Sequence, residues 1–208
     1  MPPNVDERDI RDLADLHVAC LSDSVVGALG PSYVRSFYRY VMRSRQEIGL
    51  VERNHAGRIV AAAVLSLEPA SLNRRLLLHT SLLPSFLTKA PRMIRVLAFP
   101  AVRPGHASAD QTRVPAEMPE LILMYASADA RGRGLGSALI RRAEQRLRQV
   151  GVTEYQVRTV ADSSNPALGF YRSRAFVPAG TSFKQGRFFQ VLTKTLDPDD
   201  TMTNAANR

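Results

Sequence analysis

The sequence predicts an α/β domain, and two local patterns and one global property carry that expectation. An apolar run of strand length, "ELILMYASAD" from Glu120 to Asp129, leads straight into a glycine-rich turn, Arg131 to Gly136, and then into a helical pattern. Strand-like and helix-like segments then alternate to the end of the chain, the order from which α/β sheets are built. The chain has 208 residues, of which 45% are hydrophobic and 23% charged, enough for one hydrophobic core but too few for two well-buried domains.

Taken in order, a first helix is expected over Arg8–Leu21, where Ile10, Leu13, Ala14 and Leu16 recur at loose helical spacing. "GPSYVRSFYRYVMRS" follows with Pro31 suited to the first helical position and Val34, Phe37, Tyr38, Val41 and Met42 on one face. "IGLVERN" and "RIVAAAVLSLE" flank the turn signal His55-Ala56-Gly57 and read as a hairpin. Residues 69 to 118 are rich in proline, small residues and arginine, with room for one helix. A stretch that long without clear elements is expected to be a lid or a binding loop.

Regular patterning returns at Glu120. Beyond the glycine turn, Leu135, Leu139, Ala143 and Leu147 face inward, and Gly151 stands where a helix-ending glycine belongs. "EYQVRTV" is then a strand, "NPALGFYRSRA" a short helix opening at Asn165, and "RFFQVLTKTL" a final strand. The tail from Asp197 is polar and expected to fray. No repeat is present.

The formal net charge of +9 favours an anionic partner without choosing one. Only three of the 28 basic residues are lysines, the arginines are scattered, and no basic block with interleaved aromatics appears, so nucleic acid is not the expected partner. Cys20 is the only cysteine, which excludes an internal disulfide and a thiolate zinc cluster and suits a reducing cytoplasm. His17, His55, His79 and His106 lack metal-ligand spacing and are read as surface or loop histidines, so no metal is expected. The first ten residues do not form a secretory signal, and the apolar stretch Ser81–Val102 is broken by Lys89, Arg92, Arg95 and prolines, so membrane insertion is not expected.

The turn itself excludes two nucleotide sites. A phosphate-binding P-loop needs Lys-Ser/Thr after its last glycine, and Gly136 is followed by Ser137-Ala138. The dinucleotide fingerprint needs its third glycine one position later, and it needs an acidic residue ending the next strand. Asp162 is too distant for that role and Glu154 begins the strand instead.

Arg131-Gly132-Arg133-Gly134-Leu135-Gly136 resembles the Arg/Gln-x-x-Gly-x-Gly/Ala motif of the GNAT acyltransferase superfamily. "NPALGFY", Asn165 to Tyr171, is similar to that family's downstream Asn-x-x-Ala-x-x-Phe-Tyr, in the right order. The resemblance covers Glu120 to about Ala179 firmly and says little about residues 69–118. It implies a single-domain fold over residues 1–196, with a mixed, mostly antiparallel sheet whose central strands splay apart, residues 69–118 as an inserted lid, and 197–208 as a tail. The family's usual first strand would have to come from "PPNVD" or less, so that edge of the sheet is expected to be missing or formed differently.

The resemblance further implies acetyl-CoA as co-substrate. Its pyrophosphate would meet the amides of Arg133, Gly134, Leu135, Gly136 and Ser137, with the helix dipole and Arg131 nearby. Tyr125 and Ala126 on the preceding strand would pair with the pantetheine arm, an N–H near Ala126 would bind the oxyanion, and Asn165 would contact the arm or cap its helix. Tyr171 resembles the family's proton donor to the leaving thiolate. Glu120 is the first candidate for general base and Glu117 the runner-up, either being otherwise a solvated carboxylate. The expected reaction is transfer of an acetyl or other short acyl group to a primary amine of a small molecule, an amino sugar first. A protein N-terminus or lysine is the alternative, and a non-catalytic acyl-CoA-binding module the rival from another class. Nothing in the residues sets the oligomeric state, and a homodimer is compatible with them.

Overall fold

The apolar positions of six strands and six helices fall into two clusters, one on each face of a single sheet, in a computed structural model that describes residues 5–21, 24–78, 114–184 and 186–197. The helices are α1 (Glu7–Cys20), α2 (Val25–Ala28), α3 (Pro31–Arg43), α4 (Pro69–Leu78), α5 (Leu135–Gln149) and α6 (Pro166–Arg172). The strands are β1 (Glu47–Arg53), β2 (Ile59–Ser66), β3 (Glu120–Ala126), β4 (Glu154–Val160), β5 (Val177–Lys184) and β6 (Arg187–Thr195). Their spatial order is β1-β2-β3-β4-β6-β5, with every neighbouring pair antiparallel except β3 and β4. This is the mixed, mostly antiparallel α/β sheet expected from the sequence.

Local chemistry explains most boundaries. Asp6 caps α1 by accepting from the Arg8 and Asp9 amides, and Asp9 reaches back to the Asp6 amide. Pro31 opens α3 as expected, because its missing N–H is one that the first turn leaves unbonded anyway. Gly151 follows the end of α5 at φ +78°, a conformation costly for any residue with a Cβ. Asn165 caps α6, its side-chain oxygen accepting from the Ala167 amide.

Two expectations need correction. The C-terminal pattern reads as one strand, but two are present. β5 is broken by Pro178 and Gly180 and by a register shift between them, which hides its alternation. No strand precedes α1 among the described residues and the sheet edge on that side is β1, in keeping with the expectation that this edge is formed differently. Within the region 69–118, residues 69–78 form α4, and residues 79–113, with His79 and His106, lie outside the described residues.

The second correction concerns His17. It is fully buried in α1, with Nδ1 2.8 Å from the Tyr38 hydroxyl and Nε2 2.9 Å from Ser24 Oγ. Tyr38 is itself 2.5 Å from the Tyr125 hydroxyl, so the ring joins α1, α3 and β3 through one hydrogen-bonded chain. Burial pushes its pKa down to about 4. The unfolded chain therefore takes up a proton on His17 between about pH 6.5 and 4 that the folded chain refuses, and stability falls as pH drops through that window. Between pH 7 and 5 the loss from His17 alone should be about 2 kcal/mol. Urea unfolding of wild type and His17→Gln at both pH values should show the slope reduced by that amount in the variant; equal slopes would mean that His17 does not titrate on unfolding.

A row of polar residues crosses the face that carries α1, α3 and α4. Glu47, Ser66, Glu120, Gln156 and Thr193 sit opposite one another on β1, β2, β3, β4 and β6, and all five are buried. Arg75 of α4 reaches into this row, pairing with Glu47 while donating to the Tyr40 hydroxyl at 3.0 Å. Buried polar groups persist only where they are paired, and this ion pair pins α4 to the sheet.

Candidate active site

The sheet opens at its centre. β3 and β4 pair at only two positions, Glu120 with Gln156 and Leu121 with Val157, and from Ile122 onward the two strands diverge. At the same point β3 carries a bulge. Val64 faces Leu123 and Leu65 faces Leu121, so Ile122 has no opposite number on β2. The result is a gap walled by Ile122–Ala126 on one side and Arg158–Val160 on the other.

The glycine turn stands at the wide end of this gap. Gly132 and Gly134 adopt φ +73° and +77°, where a side chain would strain the backbone, and Gly134 serves as the N-cap of α5 without any side-chain cap. The first amides of a fifteen-residue helix thus face outward with its positive dipole end, as an anion site requires. Gly136 has a second reason to be glycine: a Cβ there would come within 3.0 Å of the Phe170 ring. Arg133 is exposed, and Arg131 folds back so that its Nε donates to the Ala126 carbonyl at 3.2 Å. Cys20 Sγ also approaches that carbonyl, at 3.4 Å.

Across the gap, Asn165 ties the end of β4 to α6. Its Nδ2 donates to Thr159 Oγ1 at 2.9 Å and to the Val160 carbonyl at 2.8 Å, which leaves only a lone pair of Oδ1 for any further contact. Tyr171, on the same helix, is buried and packs edge-on between Phe170 and Phe176, with centroids 5.3 Å away in each case. Its hydroxyl has no hydrogen-bond partner among the described residues, and burial raises its pKa well above the ordinary phenol range. The hydroxyl therefore keeps its proton at any working pH.

The two carboxylate candidates separate. Glu117 is exposed on the turn before β3, whereas Glu120 is buried at the narrow end of the gap and paired with Arg158 Nη1. Beside it, Gln156 Oε1 and Arg158 Nε are buried without hydrogen-bond partners. Tyr125 points its side chain away from the gap into the Tyr38 and His17 chain, so only its backbone remains available there. Ala126, Arg131 and the glycine turn come together at one end of the gap, Glu120 and Arg158 at the other, with Asn165 bonded to the end of the far wall and Tyr171 packed behind it on the same helix. Sequence reasoning missed Arg158, Gln156 and the bulge at Ile122. Nothing local marks the bulge, and the Glu120–Arg158 pair spans 38 residues.

With this geometry in place, the chain matches the model of the acetyltransferase (GNAT) family over residues 101–176, a span that includes both motifs. That match spans the glycine turn, the helix after it and the Asn165 helix, the part of the chain that builds the gap. Solved acetyltransferase structures share the fold of this chain over nearly its whole length. The ribosomal-protein-S18-alanine N-acetyltransferase of Escherichia coli is 12% identical, with a TM-score of 0.54 over 93% of this chain and 91% of that one. An N-acetyltransferase from Staphylococcus aureus is 14% identical, with a TM-score of 0.57 over 93% and 96%. A chain from Corynebacterium glutamicum described as a histone acetyltransferase HPA2 and related acetyltransferase is 18% identical, with a TM-score of 0.58 over 95% of both chains. No curated protein matches the sequence. No helix among the described residues is long and apolar enough to cross a membrane, and no metal-binding cluster occurs among them.

Proposed function

We propose that this enzyme transfers an acetyl group from acetyl-CoA to the primary amine of a small polar molecule, an amino sugar being the first candidate. The observation that carries the reading is the gap between β3 and β4, open from Ile122 and ending at an uncapped helix N-terminus. An acyl-CoA is a long polar arm attached to a pyrophosphate, and the gap and the turn match those two parts in order. The amides of Arg133 to Ser137 would hold the pyrophosphate, and the backbone of Ile122 to Ala126 would pair with the arm. Arg131 already donates to the Ala126 carbonyl, so the acceptors left for the arm lie mainly upstream of Ala126.

Acyl transfer from a thioester needs an oxyanion donor, a proton for the thiolate and a neutral amine. The bulged Ile122–Leu123 segment suits the first better than Ala126, because a bulged residue leaves backbone groups without a ladder partner. Tyr171, protonated and without another hydrogen-bond partner, supplies the second. Glu120 receives the amine proton through water while Arg158 balances its charge.

The unspent acceptor of Gln156 and donor of Arg158 lie next to Glu120, beside the narrow end of the gap, and favour an amine flanked by hydroxyl groups over an apolar one. Residues 79–113, expected from the sequence to roof this region, complete the proposal as part of one catalytic domain over 1–196, with 197–208 as its tail. A cytoplasmic setting, where acetyl-CoA and the reduced Cys20 thiol are both at home, goes with it. Calorimetric titration tests the cofactor: acetyl-CoA should bind with micromolar affinity and NADH should not. No heat with any CoA species would end the reading.

A further inference from the structure

Four side-chain polar atoms are buried without a hydrogen-bond partner among the described residues, and two of them, Gln156 Oε1 and Arg158 Nε, belong to successive positions on one face of β4. Such atoms are rare in folded proteins, since each costs the free energy of an unmade hydrogen bond. One is an acceptor and the other a donor. The pair therefore asks for a group that supplies both.

Each of the two is fixed by a second contact. Gln156 is fully buried, and its Nε2 donates to the Met118 carbonyl at 3.2 Å, so the amide is held in one orientation and Oε1 is the atom left to accept. Arg158 is committed to Glu120 through Nη1, and Glu120 stands directly opposite Gln156 in the parallel pairing of β3 with β4. Its guanidinium thus leans back along β4 toward Gln156. The Cα atoms of Gln156 and Arg158 are about 7 Å apart along the strand. Two hydrogen bonds through one shared oxygen span up to about 5.6 Å, so a single atom between the two side chains satisfies both.

Chemistry narrows what that atom is. A carboxylate has no hydrogen for Gln156, an ammonium has no lone pair for Arg158, and an apolar group satisfies neither. A neutral amine has both, but the lone pair it would give Arg158 is the one that must attack the thioester. A hydroxyl donates and accepts through one oxygen. We propose that Gln156 and Arg158 together bind a hydroxyl of the acceptor, carried on the carbon next to the one that bears the amine, so that the substrate is a 1,2-amino alcohol. The neighbouring carbon follows from the spacing, because Glu120, which receives the amine proton, and Gln156 are one strand apart, about 5 Å between backbones. Gln156 is then the residue that sets specificity, since Glu120 retains Arg158 whatever the substrate. A lysine side chain, which has no such hydroxyl, is excluded. This deepens the small-amine reading above and rests on it.

The test is thiol release from saturating acetyl-CoA with two acceptors that differ by one oxygen, trans-2-aminocyclohexanol and cyclohexylamine, compared at equal concentrations of neutral amine. Wild type should show a kcat/KM for the amino alcohol higher by about 10²-fold or more, because the plain amine leaves two buried polar groups unpaired. Gln156→Leu, close to glutamine in volume, should cut that ratio to about tenfold or less, with calorimetric binding of acetyl-CoA reporting that the variant is folded. Equal kcat/KM for the two amines in wild type, or a ratio that survives Gln156→Leu in a variant that still binds acetyl-CoA, would overturn the inference and leave acetyl transfer to small amines standing. Binding of acetyl-CoA with transfer to neither amine would overturn the inference and the small-amine reading together. The wild-type ratio decides alone if the variant does not fold.

Discussion

Tyr171→Phe should bind acetyl-CoA with unchanged affinity and lose acetyl transfer by about 10²- to 10³-fold, the range expected for removing a general acid. The ring is buried between Phe170 and Phe176 and its hydroxyl has no hydrogen-bond partner to lose among the described residues, so the substitution removes one oxygen from a well-packed site at little structural cost. Binding and turnover should therefore separate, which a role in packing alone could not produce. The raised pKa of the phenol gives a second readout. Since it stays protonated throughout the accessible range, the wild-type pH profile should show no alkaline fall assignable to Tyr171. An unchanged rate for Tyr171→Phe with a competent acceptor would remove the residue from the mechanism.

Arg158→Met should be the most destabilising substitution near the gap, by about 3 kcal/mol at neutral pH, because it leaves the buried Glu120 carboxylate without its guanidinium. Removing one partner of a buried pair costs more than the pair itself contributes, since the remaining charge has been taken out of water and is no longer compensated. The double variant Glu120→Gln with Arg158→Met should accordingly recover part of the loss. Urea unfolding measures both, with an unchanged denaturant slope confirming that the fold is the same. A loss below about 1 kcal/mol, or no recovery in the double variant, would mean that water reaches the pair and screens it.

What could be read from the sequence was local, and what could not was made by pairing. The glycine turn, the helix it starts and the Asn165 cap each depend on a few adjacent residues, and they stand where their spacing puts them. β5 escaped because Pro178 and Gly180 interrupt its alternation, although its partner β6 was clear. His17 escaped because a lone histidine on an amphipathic helix looks the same whether it meets water or Tyr38, 21 residues away. Glu120 was recognised as a candidate, but its environment is set by Arg158 on another strand. The divergence of β3 from β4 has no residue signature, since both strands are ordinary apolar runs.

That divergence makes the sheet two three-stranded wings, β1-β2-β3 and β4-β6-β5, each antiparallel within itself and joined along a seam only two residue pairs long. The apolar cluster on one face draws residues from both wings, and Glu120 and Arg158 add an ion pair across the seam. A ligand that hydrogen-bonds along both walls would act as a guest strand and stitch the wings together. On the proposed reading the co-substrate would supply part of the stiffness of this protein, and releasing the arm after each turnover would loosen the seam through which the next must enter.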